Sequence, residues 1–454
     1  MSSSTPRFPS DFLWGVASSS YQIESAVDAD GRTPSVWDVC CDRPGFVNDG
    51  HTGATACDSY NKVDEDAALI GDLGVGAYRF SVSWNRVMPA GDGAVCDKGL
   101  GYYDRLVDAL LARGVDPWVT LFHWDFPQVL HERGGWMNPD SAKWFADYTE
   151  AVVSKLGDRV KHWMTLNEPQ CFVGLGHSMG AHAPGLTLPR REVLVILHRS
   201  LVAHGHAVAR IRAHADDHKI GWAPVGVTGY PDTDSPADIE ATRRFMFERC
   251  AQGEGWSFSN ALYADPVILG KYPDRSYGPV IDELPDYTDD ELRIISQPLD
   301  FYGVNIYQGT RVKAGPDGEP IALPFGPGHP RTMMDWPVTP EALYWGPRLL
   351  AERYKLPVYI TENGLASTDW VAKDGAVHDP ARIDYVDRHL DQLARAIADG
   401  VDVRGYFHWS IMDNFEWAYG YTKRFGLVHV DFETGVRTPK DSYRWYKDRI
   451  AAQP

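Results

Sequence analysis

"YITENGLAS", residues 359–367, decides the fold, because its β-rich run Val358-Tyr359-Ile360 ends in a carboxylate, Glu362, followed by Asn363-Gly364. A strand that buries its side chains has no packing use for a charge at its end. "WMTLNEPQ" (163–170) is built the same way and ends in Asn167-Glu168-Pro169. Each glutamate alone could cap a loop or form a buried salt bridge. Two of them at strand ends need one explanation.

Outward from these two runs, similar segments recur. The pattern predicts strands over 12–18, 77–84, 117–124, 162–167, 219–225, 301–307, 357–362 and 404–410. Between them lie predicted helices over 58–73, 98–113, 141–156, 193–214, 340–354 and 381–399. Asp140-Ser141 and Thr339-Pro340-Glu341 supply start signals, and Gly74, Gly114, Gly157 and Gly400 supply stops. Eight strands with helical crossovers imply a parallel sheet, and eight is the number that closes an α/β barrel. The expectation is therefore a single (β/α)8 TIM barrel over residues 1–454. Its long loops, 168–192, 226–299 and 308–338, would cover the C-terminal mouth, where such barrels place their sites. No GxGxxG or GxxxxGK[ST] follows a strand, which weakens a nucleotide-binding doubly wound alternative.

Bulk properties narrow the function. A net charge of −18 argues against nucleic acid or an anionic membrane as partner. The start, "MSSSTPRFPSDFLWG", reads as carrying no secretory signal, and no run is apolar and long enough to span a membrane. Cys40, Cys41, Cys57, Cys96, Cys171 and Cys250 form no CxxC pair and no metal-ligand spacing. They read as free thiols of a cytoplasmic protein, with no metal or other cofactor implied. Sixteen Trp and 22 Tyr are many, and several stand beside carboxylates, amides or histidines, as in "HWDFP", "FHWS" and "DNFEW". Flat apolar faces beside directional hydrogen-bonding groups suit pyranose rings.

In a barrel the two glutamates converge on one cavity. Facing carboxyl groups serve glycoside hydrolysis, roughly 5–5.5 Å apart for direct attack or ~6.5–9.5 Å when water must fit between. The surroundings distinguish them. Met164, Leu166 and Pro169 would favour a protonated Glu168, whereas Arg79 and Tyr307 are candidate partners for an ionised Glu362.

"TLNEP" (165–169) and "ITENG" (360–364) together resemble the signature motifs of glycoside hydrolase family 1, the β-glucosidase family. The resemblance continues through "FLWGVASSSYQIE" (12–24), "YRFSVSWNR" (78–86), "HWDFPQ" (123–128), "GAHAPG" (180–185) and "HWSIMDNFEWAYGY" (408–421). It implies a retaining mechanism in which Glu362 is the nucleophile and Glu168 the acid/base. By the same resemblance Asn167 would contact the sugar 2-hydroxyl, and Asn305 and Tyr307, both expected on strand six, would support the carboxylates with Arg79. Gln22, His123 with the adjacent Trp124, and Glu416 would bind the glycone, Trp409 would stack beneath it and Trp417 lie beside O3. A glutamate at 416 would repel a 6-phosphate, which favours unphosphorylated β-glucosides as small-molecule substrates, with β-fucosides and β-galactosides tolerated. Ser25, Asn85 and the histidine-free "CDSYNK" (57–62) depart from the family pattern. A transglycosidase using the same intermediate, or a silent carbohydrate-binding scaffold, are the alternatives. The sequence does not give the oligomeric state.

Overall fold

The computed structural model describes residues 8–248 and 253–453. Cys250 and the start of the N-terminal segment lie outside the described residues. Eight parallel strands form one sheet: β1 (Leu13–Ala17), β2 (Ala77–Ser81), β3 (Asp116–Phe122), β4 (His162–Asn167), β5 (Lys219–Ala223), β6 (Tyr302–Asn305), β7 (Val358–Asn363) and β8 (Val403–Trp409). Their order is β5-β4-β3-β2-β1-β8-β7-β6. The seam between β5 and β6 is closed by single bonds. Asp300 N–H donates to the Ile220 carbonyl (2.8 Å), Ile220 N–H to the Asp300 carboxylate (2.8 Å) and Asn305 N–H to the Pro224 carbonyl (3.0 Å). A parallel bridge, Val225 to Asn305, completes the barrel.

The crossover helices are α1 (Val63–Asp72), α2 (Asp97–Leu111), α3 (Ser141–Leu156), α4 (Arg190–His214), α5 (Asp289–Ile295), α6 (Ala342–Tyr354), α7 (Pro380–Ala398) and α8 (Asp441–Ala451). Gly74, Gly114 and Gly400 take the left-handed conformation expected of a helix stop, but Gly157 stays right-handed at φ −68°. Thr339 does not cap α6, since its hydroxyl accepts from Gly309 N–H (2.8 Å) and the helix begins at Ala342. The segment 226–299, expected as a loop, holds the helices Pro236–Phe247 and Asn260–Ala264 as well as α5. Strand Gly229–Pro231 pairs there with Thr310–Ala314, which pairs with Pro320–Ala322. Asn260–Ala264 is buried along its whole length and the strands are only three to five residues long, so periodicity does not reveal them.

Side chains fill the barrel rather than leaving a pore. Trp118 stacks on His162 (4.2 Å between centroids) and is surrounded by Phe301, Tyr359 and Phe407 at 5.0–5.4 Å. The Phe301 ring fits because β5 carries Gly221, where a Cβ would lie 2.4 Å from it. This aromatic plug supports the residues above it at the C-terminal mouth. A second, larger core lies between the sheet and the helices, including Val119, Trp163, Leu197 and Trp222.

Candidate active site

A cavity of about 470 Å³ opens at that mouth. Both marked glutamates line it, Glu168 with 6% and Glu362 with 3% of their surface exposed. Neither reaches it by regular strand alternation. In β4, three residues from Met164 to Asn167 run against two of β5, and in β7, Ile360 to Glu362 spans two against one of β6. Such bulges re-aim the side chains that follow. Glu168, the first residue past β4, then adopts φ +42°, a left-handed conformation costly for a non-glycine residue. Trp124 (φ +80°) and Trp417 (φ +50°), also on the cavity wall, share this strain.

The carboxyl groups have different partners. Glu362 accepts from Arg79 Nη1 on one oxygen and from the Tyr307 hydroxyl on the other, each at 2.7 Å. Tyr307 lies past the end of β6 rather than on it, and its backbone carbonyl accepts from the Tyr385 hydroxyl (2.7 Å). Glu168 accepts from Asn305 Nδ2 (2.7 Å) and from the Cys171 thiol (3.0 Å). Asn167 Oδ1 joins the two halves, accepting from Arg79 Nη2 (2.6 Å) and Asn305 Nδ2 (3.1 Å). Thr361 fixes Asn305 from the other side by donating to its Oδ1 (2.7 Å).

Burial, then the Glu362 charge, push the Glu168 carboxyl up to about 7. Burial raises Glu362 too, against the opposing Arg79 charge and Tyr307 hydrogen bond. The sequence reading gave only those opposing partners, because burial is not visible in the residues. Of the coupled pair, Glu168 has the weaker donors and keeps the proton. Glu416, behind which Gln22 sits, is pushed up to about 8 by burial and by both other carboxylates. It therefore holds a proton at neutral pH.

His123, Trp124, Trp409, Glu416 and Trp417 all line the cavity. Asn167 donates from Nδ2 to His123 Nε2 (3.0 Å), which puts the imidazole proton on Nδ1. That Nδ1 is buried and has no partner among the described residues. Burial holds the ring well below the usual histidine range, hence neutral. Gln22 and Asn167 are not on the wall. Gln22 Nε2 donates to Asn414 Oδ1 (3.0 Å) and the Phe415 carbonyl (2.8 Å), approaching Glu416 only at 3.5 Å. Asn167 spends its amide on the network just described. Ser25 and Asn85 lie off the cavity. Ser25, at φ +59°, accepts from Asp58 N–H (2.8 Å), and Asn85 accepts from the Ser83 hydroxyl (2.7 Å).

Sequence reasoning missed Cys171, whose thiol on Glu168 is readable only once the turn is folded. It also left unnamed Leu175, Phe258, Met334 and Trp336, which line the cavity from the three covering segments, and Val225, just past β5. The lining includes three glutamates and no lysine or arginine. Among the described residues no cluster of histidine, cysteine, aspartate or glutamate has the arrangement of a metal site, and no helix is long and apolar enough to cross a membrane.

The model of a family described as glycosyl hydrolase family 1 matches residues 4–454. Beta-glucosidase A of Thermotoga maritima is 44% identical over 452 residues, covering 98% of each chain. The beta-glucosidase of an Agrobacterium species is 44% identical over 453 residues, 99% of this chain and 96% of that one. The solved structure of the Thermotoga maritima beta-glucosidase with cyclophellitol superposes with a TM-score of 0.89 at 42% identity, covering 98% of this chain and 99% of that one.

Proposed function

The chain belongs to glycosyl hydrolase family 1, and we propose that it releases terminal, unphosphorylated β-D-glucosyl residues from small β-glycosides, cellobiose among them. β-Fucosides and β-galactosides are accepted by the same site. The observation that carries this reading is the unequal pairing of two buried carboxyls, Glu362 on Arg79 and Tyr307, Glu168 on an amide and a thiol.

Glu362, held ionised, attacks the anomeric carbon while Glu168 passes its proton to the departing glycosidic oxygen. That leaves a glycosyl ester on Glu362. Discharging the Glu362 charge removes the repulsion that, with burial, kept Glu168 protonated, so Glu168 now takes a proton from the incoming water. Water attacks the same carbon from the vacated face, and two inversions give net retention. Trp409 supports the ring face, while His123, Trp417 and Glu416 bind its hydroxyls. Gln22 and Asn167 assist from behind the wall. An alcohol entering in place of water would give transfer by the same ester.

Residues 1–454 are proposed to act as one domain, since every segment lining the cavity leaves and rejoins the same barrel. The thiols Cys40, Cys41, Cys57, Cys96 and Cys171 are unpaired, which suits a reducing cytoplasm. The test is proton NMR of early β-glucoside cleavage. β-Glucose is expected to appear first and α-glucose only by mutarotation. Initial α-glucose would overturn the mechanism.

A further inference from the structure

Cys171 begins an eight-residue π-helical turn, Cys171–Ser178, a geometry frequent at functional sites. Its backbone N–H donates to the Glu168 carbonyl (2.8 Å) and so closes the turn that keeps Glu168 at φ +42°. Its thiol reaches back to Glu168 Oε2 at 3.0 Å, while Asn305 holds Oε1. The residue is 6% exposed and on the cavity wall. Burial drives its own ionisation well above the usual thiol range, so it meets Glu168 as S–H and never as thiolate.

We propose that Cys171 is a positioning residue of the reaction, whose S–H fixes Glu168 Oε2 with a deliberately weak hydrogen bond. This rests on the reading of Glu168 as acid/base. A strong donor at this place would stabilise the carboxylate and leave Glu168 already ionised, with no proton to give. No donor would leave Oε2 free to rotate and the carboxyl harder to ionise for the second step. A thiol does between the two, orienting the oxygen at little electrostatic cost.

The other groups facing Glu168 are Glu362 from β7, Arg79 from β2, Tyr307 beyond β6, Glu416 beyond β8, and His123 and His182 across the cavity. Tyr263 stands behind the thiol.

The test is the pH dependence of kcat/KM for cellobiose, which needs its leaving group protonated, and for 2,4-dinitrophenyl β-glucoside, which does not. In Cys171→Ala the alkaline limb for cellobiose should move up by about half a pH unit, roughly a threefold higher relative rate on that limb. The activated substrate should keep its wild-type profile. Cys171→Ser, which restores a donor, should return the cellobiose limb to the wild-type position or below. An unmoved limb in folded Cys171→Ala, or an equal shift for both substrates, would overturn the proposal and leave Cys171 a packing residue. Undiminished cellobiose turnover by Glu168→Gln would instead overturn the acid/base reading on which it rests.

Discussion

Glu168 and Glu362 are both glutamates at strand ends, and their neighbours make them different acids. A guanidinium and a phenol face Glu362, while Glu168 has an amide, a thiol and its partner's charge. Because the proposed first step needs a protonated Glu168, whose carboxyl lies near 7, kcat/KM should fall as pH rises through that value. Glu168→Ala should lose that limb. Steady-state rates on cellobiose should drop about 10³-fold, with about tenfold or less on 2,4-dinitrophenyl β-glucoside when its first step is measured. Equal losses on the two substrates would contradict the acid role. The sequence made both glutamates, Arg79, Tyr307 and the aromatic wall legible, since each sits in a motif on a strand or in the stretch that follows one. It did not reveal that Gln22 turns its amide to Asn414 and Phe415, nor that Asn167 fixes the His123 tautomer. Those depend on which donors are left after distant strands meet.

The strands and most helices were legible because their periodicity is strong. α3 starts and stops at the residues read from the sequence, whereas α1 begins five residues late, after Asp58 takes φ +55°. The bulges in β4 and β7 were not legible, since a one-residue slip changes no residue type, yet they aim both carboxyls. The weak seam between β5 and β6 is similar. It closes only because Gly303 lets the strands approach, and a Cβ there would lie 2.4 Å from the Trp222 carbonyl oxygen and 2.8 Å from the Thr361 methyl. Gly303→Ala should cost ~2–3 kcal/mol in denaturant unfolding and lower kcat, because Thr361 and Asn305 shift together. The stretch carrying Glu416 and Trp417 has its own anchor. Asp413 accepts from Lys440 (2.7 Å), Arg424 (2.7 Å) and Gly426 N–H (3.0 Å), all nearly out of solvent on the Asp413 side. Lys440→Met would leave Asp413 and Asp369 under-compensated. A stability loss of ~3–5 kcal/mol and a raised KM are expected, measured by urea unfolding and cellobiose kinetics.

Over the whole molecule, an acidic chain of net charge −18 surrounds a cavity whose lining has three glutamates and no lysine or arginine. Arg79 stands behind Glu362 and is already neutralised by it. A neutral sugar loses nothing there, but a 6-phosphate would give up its hydration beside Glu416 with no lysine or arginine on the wall to pair with it. kcat/KM for 6-phospho-β-glucosides should be lower than for the unphosphorylated compounds by roughly 10³-fold or more, as several kcal/mol for an unpaired, desolvated charge implies. Comparable rates on the two would contradict the charge argument. The barrel, its plug and the two bulged strands together exist in this account to hold Glu362 against an anomeric carbon. That is checked by incubating the protein with 2,4-dinitrophenyl 2-deoxy-2-fluoro-β-glucoside, then measuring intact mass and mapping peptides. The expected result is one fluoroglucosyl group per chain, on the peptide that contains Glu362. An adduct on another residue, or a folded chain that hydrolyses β-glucosides and accumulates none, would contradict it.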